Sequence, residues 1–183
     1  PRRAALVPQG FLACPVARRI PRSLNAAITL EASDGGVEWA HAPLAEVLGF
    51  VSDLAGLPLR QELAVAGPVN QRGEVQAIGG LTHKAEGFYR ACVEAGDLTG
   101  QQGVVFPRSN EPILVLDDDV AGEVAAGRFH VYSAAHVDEA IELFLGLPAG
   151  VPDADGQYPA DTVYGRVAAQ LEKFDRALDA RDT

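Results

Sequence analysis

The stretch "AVAGPVNQRGEVQAIGGLTHKAEGF", residues 64–88, changes its hydrophobic pattern at a pair of glycines. Before the glycines it reads as two strands around the turn "NQRG", a hairpin spanning 60–77. After Ile78-Gly79-Gly80 it reads as a helix over 82–95, with Leu81, Ala85, Phe88 and Cys92 on one face and Gly96 as its stop. A chain that must form both in 25 residues belongs to a mixed class. The rest of the sequence repeats the alternation. "AAITLEAS" (26–33) reads as a strand, and "LAEVLGFVSDLAG" as a helix over 43–55 opened by Pro43 and ended by "GLP". "GVVFP" (103–107) is a short buried strand and "DDDVAGEVAAG" a short helix opening on acids. "RFHVYS" (128–133) is a strand, and 137–146 a helix closed by Gly146. Residues 147–160 read as a Pro/Gly-rich linker. A last helix from Asp161 carries Val163, Val167, Leu171, Phe174 and Leu178 in a stripe close to a heptad seam, to pack on the domain or on a neighbouring subunit. The fold class is α+β.

Charge and composition remove several functions. The net charge is −10, which argues against nucleic acid and against an anionic membrane surface. No run of 18 apolar residues spans a membrane. The arginine-bearing opening "PRRAALVPQGFLACPVARRIPR" is broken by prolines and reads as an irregular or β segment, not as a signal peptide. Two cysteines, Cys14 and Cys92, make no disulfide framework; Cys92 is expected in the core, and a reducing cytoplasm fits. There is no methionine, even at position 1, so the chain is expected to be a piece of a longer protein with a further domain.

Common catalytic and binding motifs are missing. The sequence has no phosphate loop of the G-x-x-x-x-G-K-[ST] type and no G-x-S-x-G elbow. His41, His83, His130 and His136 form no metal-ligand spacing, and "DDD" at 117–119 suits a helix start better than a cation. Lys84 is the chemically informative residue. It falls in the first turn of its helix, where the positive end of the dipole and the neighbouring Leu81, Ala85 and Phe88 would both push its pKa down. Such a lysine can act as a general base toward a hydroxyl. The alternative is a lysine snorkelling to solvent from a helix edge.

"GEVQAIGGLTHK" resembles the lysine motif of the Lon family of ATP-dependent serine proteases, in its LonB-like bacterial branch. "AGLPLRQELAVAGPVNQRGEVQAIGG", "EGFYRACVEAGDLTGQQGVVFP" and "AAGRFHVYSAAHVDEAIELFLG" follow in the family's order, so the resemblance covers roughly residues 20 to 146. It implies a Lon proteolytic domain over 1–146, similar to ribosomal protein S5 domain 2, followed by the linker 147–160 and the C-terminal helix 161–183. It further implies a homo-hexameric ring in the cytoplasm. An AAA+ ATPase module of the same longer protein would unfold and feed polypeptides. ATP-Mg is expected on that module, and no cofactor or metal in this chain.

By the same resemblance Lys84 is the base of a Ser–Lys dyad. The serine motif, V-[DE]-G-D-S-A followed by two small residues and A-E, aligns without a gap on "VEWAHAPLAE", residues 37–46. His41 stands at the serine position, Trp39 and Ala40 at the Gly and Asp positions. The separation of 43 residues between His41 and Lys84 matches the family spacing, and both side chains are expected to face one cleft. Ala66, in "VAG", stands where the family has a helper threonine. An imidazole cannot form an acyl-serine ester, although an acyl-imidazole is conceivable. Ser33 is misplaced as a substitute, and Cys92 is two helical turns beyond Lys84, roughly 12 Å along the axis. The resemblance therefore implies an inactive or strongly impaired homologue acting in ring assembly or polypeptide handling. The alternative is an active ATP-dependent endopeptidase that uses Lys84 with an unusual nucleophile.

Overall fold

The computed structural model describes residues 42–96 and 98–180. The strand expected over 26–33, together with Cys14, Ser33, Trp39, Ala40 and His41, lies outside the described residues. Elements are numbered along the described chain. Helix α1 is Pro43–Ala55, and strand β1 is Leu63–Val65. Helix α2, Leu81–Ala95, leads to strand β2, Gly103–Pro107. A 3-10 helix, Arg108–Ile113, precedes helix α3, Asp118–Ala125, and strand β3, His130–Ala134. Helices α4, Val137–Leu145, and α5, Val163–Asp179, close the chain.

The three strands form one parallel sheet in the order β1-β2-β3. Leu63 pairs with Gly103 and Gly103 with His130. Parallel neighbours need a crossover, which α2 supplies between the first two strands and the 3-10 helix with α3 between the last two. β2 is the central strand and all five of its residues are buried, as its continuous apolar run requires. Gly103 at its start is needed for space: a Cβ there would meet the His130 carbonyl oxygen at 2.6 Å.

The main core lies where α1, α4 and α5 meet. Leu44, Val47, Val51, Val137, Ala140, Ile141, Val163 and Val167 are fully buried in one cluster. Each of the leucine, valine and isoleucine side chains contributes roughly 1.5–3 kcal/mol relative to remaining in water. Glycines end the first and fourth helices in the left-handed conformation: Gly56 has φ 63 and Gly146 has φ 69. Two smaller clusters lie on the α2 and α3 side of the sheet, one around Phe129 and one around Ile78, Leu81 and Phe106.

Two sequence expectations need correction. The hairpin is shorter than 60–77. It is closed by the bridge Val69–Val75 and by hydrogen bonds from Asn70 N to Glu74 O and from Gln76 N to Pro68 O. Its supposed first arm, Leu63–Val65, pairs parallel with β2 instead, because Pro68 has no amide to continue an antiparallel ladder. Cys92 is half-buried and not a core residue; it lines an open pocket of about 400 Å³ with Phe88, Ala91 and Gln102. Burial nevertheless pushes its thiol pKa up, which suits an unreactive cysteine. The α5 stripe is divided: Val163, Val167 and Leu171 are buried against the domain, whereas Phe174 and Leu178 are exposed.

Residues 147–160 are irregular, yet α5 is firmly tied. Thr162 caps it by accepting from Gly165 N at 3.1 Å while donating to Pro159 O at 2.7 Å. The buried Tyr164 hydroxyl donates to Asp138 in the first turn of α4. Burial first, and the Asp138 carboxylate second, raise its pKa far above the phenol range. Gly165 is where this corner has no slack, since a Cβ there would stand 2.0 Å from the Pro159 carbonyl oxygen. Gly165→Ala should therefore destabilise the protein by about 1–3 kcal/mol. At about 2–4 °C per kcal/mol for a chain of this size, thermal unfolding should show the drop; an unchanged midpoint would contradict this packing.

Candidate functional site

Lys84 sits in the first turn of α2, as its spacing from the glycine pair predicts, and is half-buried. Its amide donates to the carbonyl of Gly80 at 3.1 Å, the first bond of the helix. Gly80 holds φ 65 and ψ 26 at the N-cap, a conformation that a side chain would strain. The glycine pair thus sets the direction in which α2 leaves the hairpin, and with it the direction of the lysine.

The turn before α2 is held by a residue that the sequence pattern did not single out. Asn110 is 1% exposed. Its Oδ1 accepts from the Ile78 amide at 3.0 Å, and its Nδ2 donates to the Ile78 carbonyl at 2.8 Å. Both backbone groups of one residue are satisfied by one side chain. This pins the glycine turn to the 3-10 helix that follows β2. Ile78, Leu81 and Phe106 then pack together, with Ala66 and Leu114 against them. Ala66 therefore lies in the same cluster as Leu81, three residues before Lys84.

Ala66 also continues the β1 ladder, its amide donating to the Val105 carbonyl at 3.1 Å. The next residue, Gly67, accepts from the Leu44 amide at 3.0 Å. That bond uses one of the orphan donors at the start of α1, a helix with no side-chain cap. Gly67 is buried, and a Cβ there would meet Val75 Cγ1 at 2.9 Å. Three backbone features converge here: the first turn of α1, the Ala66-Gly67 corner and the start of α2. His41, two residues before Pro43, lies outside the described residues.

Two carboxyl groups, one in α1 and one in α2, are buried. Glu86, in α2, is 6% exposed; its Oε1 accepts from Asp117 N at 3.0 Å and fixes the start of α3. Glu46, in the first turn of α1, is 4% exposed, and its Oε2 has no hydrogen-bond partner among the described residues. Burial raises its pKa. The other histidines are elsewhere. His83 is exposed on α2, and His130 Nε2 meets the Gly100 carbonyl at 2.9 Å. His136 Nε2 meets the Arg72 carbonyl at 2.9 Å, and its Nδ1 lies 3.3 Å from the Asp138 amide at the start of α4. Asp117 is the N-cap residue of α3. Among the described residues no group of three or more His, Cys, Asp or Glu is arranged to hold a metal ion, and no helix is long and apolar enough to cross a membrane. Thr82, two residues before Lys84, directs its hydroxyl proton at the Val115 carbonyl, 2.9 Å away.

No protein-family model matches the chain. It is 33% identical over 175 residues to a putative Lon protease homolog of Escherichia coli, which takes in 95% of this chain and 29% of that protein. It is 39% identical over 122 residues to a putative Lon protease homolog of Haemophilus influenzae, covering 67% of this chain and 20% of that one. It is also 28% identical over 126 residues to an archaeal Lon protease of Halobacterium salinarum, covering 69% and 16%. The chain thus spans less than a third of the length of each of these relatives.

Two measurements check this geometry. Asn110→Ala leaves the Ile78 amide and carbonyl buried without partners. At about 1–3 kcal/mol per orphaned group it should lower the unfolding midpoint by several degrees. An unchanged midpoint would deny the turn its anchor. For Glu46, the raised pKa means that the folded state keeps the proton to higher pH than the unfolded chain. Below the unfolded carboxyl's pKa nothing is lost, and stability falls as pH rises from there through the folded pKa. Glu46→Gln should therefore raise the midpoint at about pH 8 and leave it nearly unchanged at about pH 4. A gain that is equal at both pH values would refute the assignment.

Proposed function

From this relationship to the Lon protease family, we propose that the chain is a Lon-type proteolytic domain, ribosomal protein S5 domain 2-like, that has lost its serine nucleophile. The observation that carries the reading is "VEWAHAPLAE", residues 37–46, with His41 where the family has serine and 43 residues between it and Lys84. Lys84 is the retained base, and Ala66 stands for the helper threonine. The convergence of the α1 start, the Ala66-Gly67 corner and the α2 start supports it, because a Ser–Lys dyad would draw on all three.

In this reading the domain is catalytically inactive or strongly impaired. It occupies residues 1–146, with 147–160 as a linker and α5 as a helix that braces it. It works in ring assembly or polypeptide handling, in a cytoplasmic homo-hexamer whose attached AAA+ module binds ATP-Mg and supplies unfolded polypeptide. The chemistry of the loss is direct. Lon-type hydrolysis needs an oxygen nucleophile that a lysine deprotonates, and an ester intermediate that water resolves. An imidazole offers neither, and Trp39 replaces a glycine on the same stretch. The second reading, an active ATP-dependent endopeptidase with an unusual nucleophile, is favoured only by the retention of Lys84 in the first turn of α2.

The full-length protein with ATP should cleave a casein-like unfolded substrate no faster than background and should not be labelled by a fluorophosphonate. Losing the nucleophile of such a unit costs on the order of several powers of ten in rate. His41→Ser alone should restore little; adding Trp39→Gly, Ala40→Asp and Ala66→Thr should restore more. ATP-dependent cleavage by the unmodified protein, abolished by Lys84→Ala, would overturn the inactive reading.

A further inference from the structure

Strand β3, His130–Ala134, lies at the rim of the sheet and is paired with β2 on one side. Its register with β2 runs unbroken over five residues. The His130 amide donates to the Gln102 carbonyl at 2.9 Å, which fixes the alternation of the parallel ladder. His130, Tyr132 and Ala134 turn their backbone groups inward to β2, and Val131 and Ser133 turn theirs outward. The amides and carbonyls of Val131 and Ser133 have no hydrogen-bond partner among the described residues. The strand carries no lysine, proline or bulge, the devices that usually blunt an edge. Its far end is closed, because the Ala135 carbonyl accepts from the Val75 amide and the Ala135 amide donates to Glu139 Oε2. The open stretch is therefore residues 131–133.

The two faces of the sheet flank this edge differently. On one face Val131 packs toward the Phe129 and Ile78 clusters, and the Ser133 hydroxyl donates to Glu111 Oε1. Glu111 is exposed and has no ion pair among the described residues; the arginine of its own 3-10 helix, Arg108, is bound to Glu139 at 2.5 Å. On the other face the rings of His130 and Tyr132 stack with centroids 5.7 Å apart, both half-buried. A strand added here would meet a carboxylate on one face and aromatic rings on the other. A second copy of this chain suits the edge poorly. Pairing β3 with β3 about a two-fold axis would bring two Glu111 carboxylates to one edge, between chains of net charge −10.

We propose that the outer edge of β3 takes up an extended polypeptide segment as a further strand, with β-branched residues on the face of the His130 and Tyr132 rings and a basic residue beside Ser133 and Glu111. The backbone of the segment pairs with the open groups of Val131 and Ser133 and supplies the affinity. Its alternate side chains supply the selectivity: one set packs on the rings, and the cation meets the Glu111 carboxylate. The inference rests on the polypeptide-handling reading and names the chemistry of the polypeptide.

The test uses the full-length protein and fluorescein-labelled pentapeptides. The reference peptide is threonine-valine-lysine-valine-threonine, which reads the same in both directions and carries one basic side chain. Anisotropy titration should show it binding at least about tenfold more tightly than the same peptide with glutamate for lysine. Glu111→Lys should reverse that order, and because Glu111 is exposed, circular dichroism should be unchanged. Ser133→Pro removes one outward amide and leaves the bonds of His130, Tyr132 and Ala134 to β2, so it should weaken the lysine peptide about tenfold or more. The Glu111→Lys arm decides independently of whether Ser133→Pro folds. Methylating the peptide amides at alternate positions should have opposite effects. The set that faces the edge is needed for binding and the set that faces solvent is not, whereas a purely electrostatic contact would be indifferent to both. Equal binding of the lysine and glutamate peptides, equal effects of the two methylation patterns, or an order that Glu111→Lys leaves in place would overturn the proposal. So would self-association of the wild type that Ser133→Pro abolishes, which would give the edge to a second copy. Casein cleavage by the unmodified protein would sink the inactive reading yet leave these affinities as measured, so the two failures are separable.

Discussion

One buried side chain fixes the arrangement around Lys84. Asn110 satisfies both the amide and the carbonyl of Ile78, and it does so from a 3-10 helix that begins directly after the central strand. The Ile78-Gly79-Gly80 turn has no side chains of its own at its tip, so it needs an external anchor to be a single conformation. With Ile78 held, the left-handed Gly80 has one exit, α2 starts in one direction, and Leu81 closes on Phe106 and Ala66. Remove the anchor and two backbone groups in a buried setting lose their partners, which is costlier than the loss of a surface contact.

The backbone bond from Leu44 to Gly67 does the corresponding work on the other side. It joins the start of α1 to the end of β1 with no side chain involved. Neither device depends on what stands at position 41 or 66. The framework of the site can therefore stay intact while the groups that would perform chemistry change. Ala66 leaves no orphaned polar group behind, as it has only a methyl to place against Ile78, Leu81 and Phe106. A hydroxyl there would have needed a partner in an apolar cluster.

Much of the fold was legible in local signals. Pro43, Gly56, Gly96 and Gly146 bound their helices where the pattern puts them, and the buried run 103–107 is a strand. What the sequence could not show was partnership at long range. Whether Leu63–Val65 pairs with its hairpin neighbour or with a strand 40 residues on is not written in its own alternation. Asn110 reads as a loop polar residue until its partner 32 residues away is known. Glu46 reads as a helix-face acid in "LAEVL", and only packing reveals that it is buried. Cys92 fits the apolar stripe of α2, yet the stripe outruns the surface that covers it. For the site, the position of Lys84 was legible from the glycine pair, whereas Ala66 entered only through the family resemblance.

The buried Glu46 carboxyl shows where this chain departs from a purely stability-driven design. It sits in the first turn of α1, where the helix dipole favours negative charge, yet burial outweighs that and its pKa rises. An apolar residue at this position would lift the desolvation cost. The cost is borne in the helix turn nearest the Ala66-Gly67 corner and is greatest when the carboxyl is ionised. The neutral and ionised forms of Glu46 differ in what they would ask of any group brought beside Oε2: a neutral carboxyl can donate a proton, a carboxylate can only accept one.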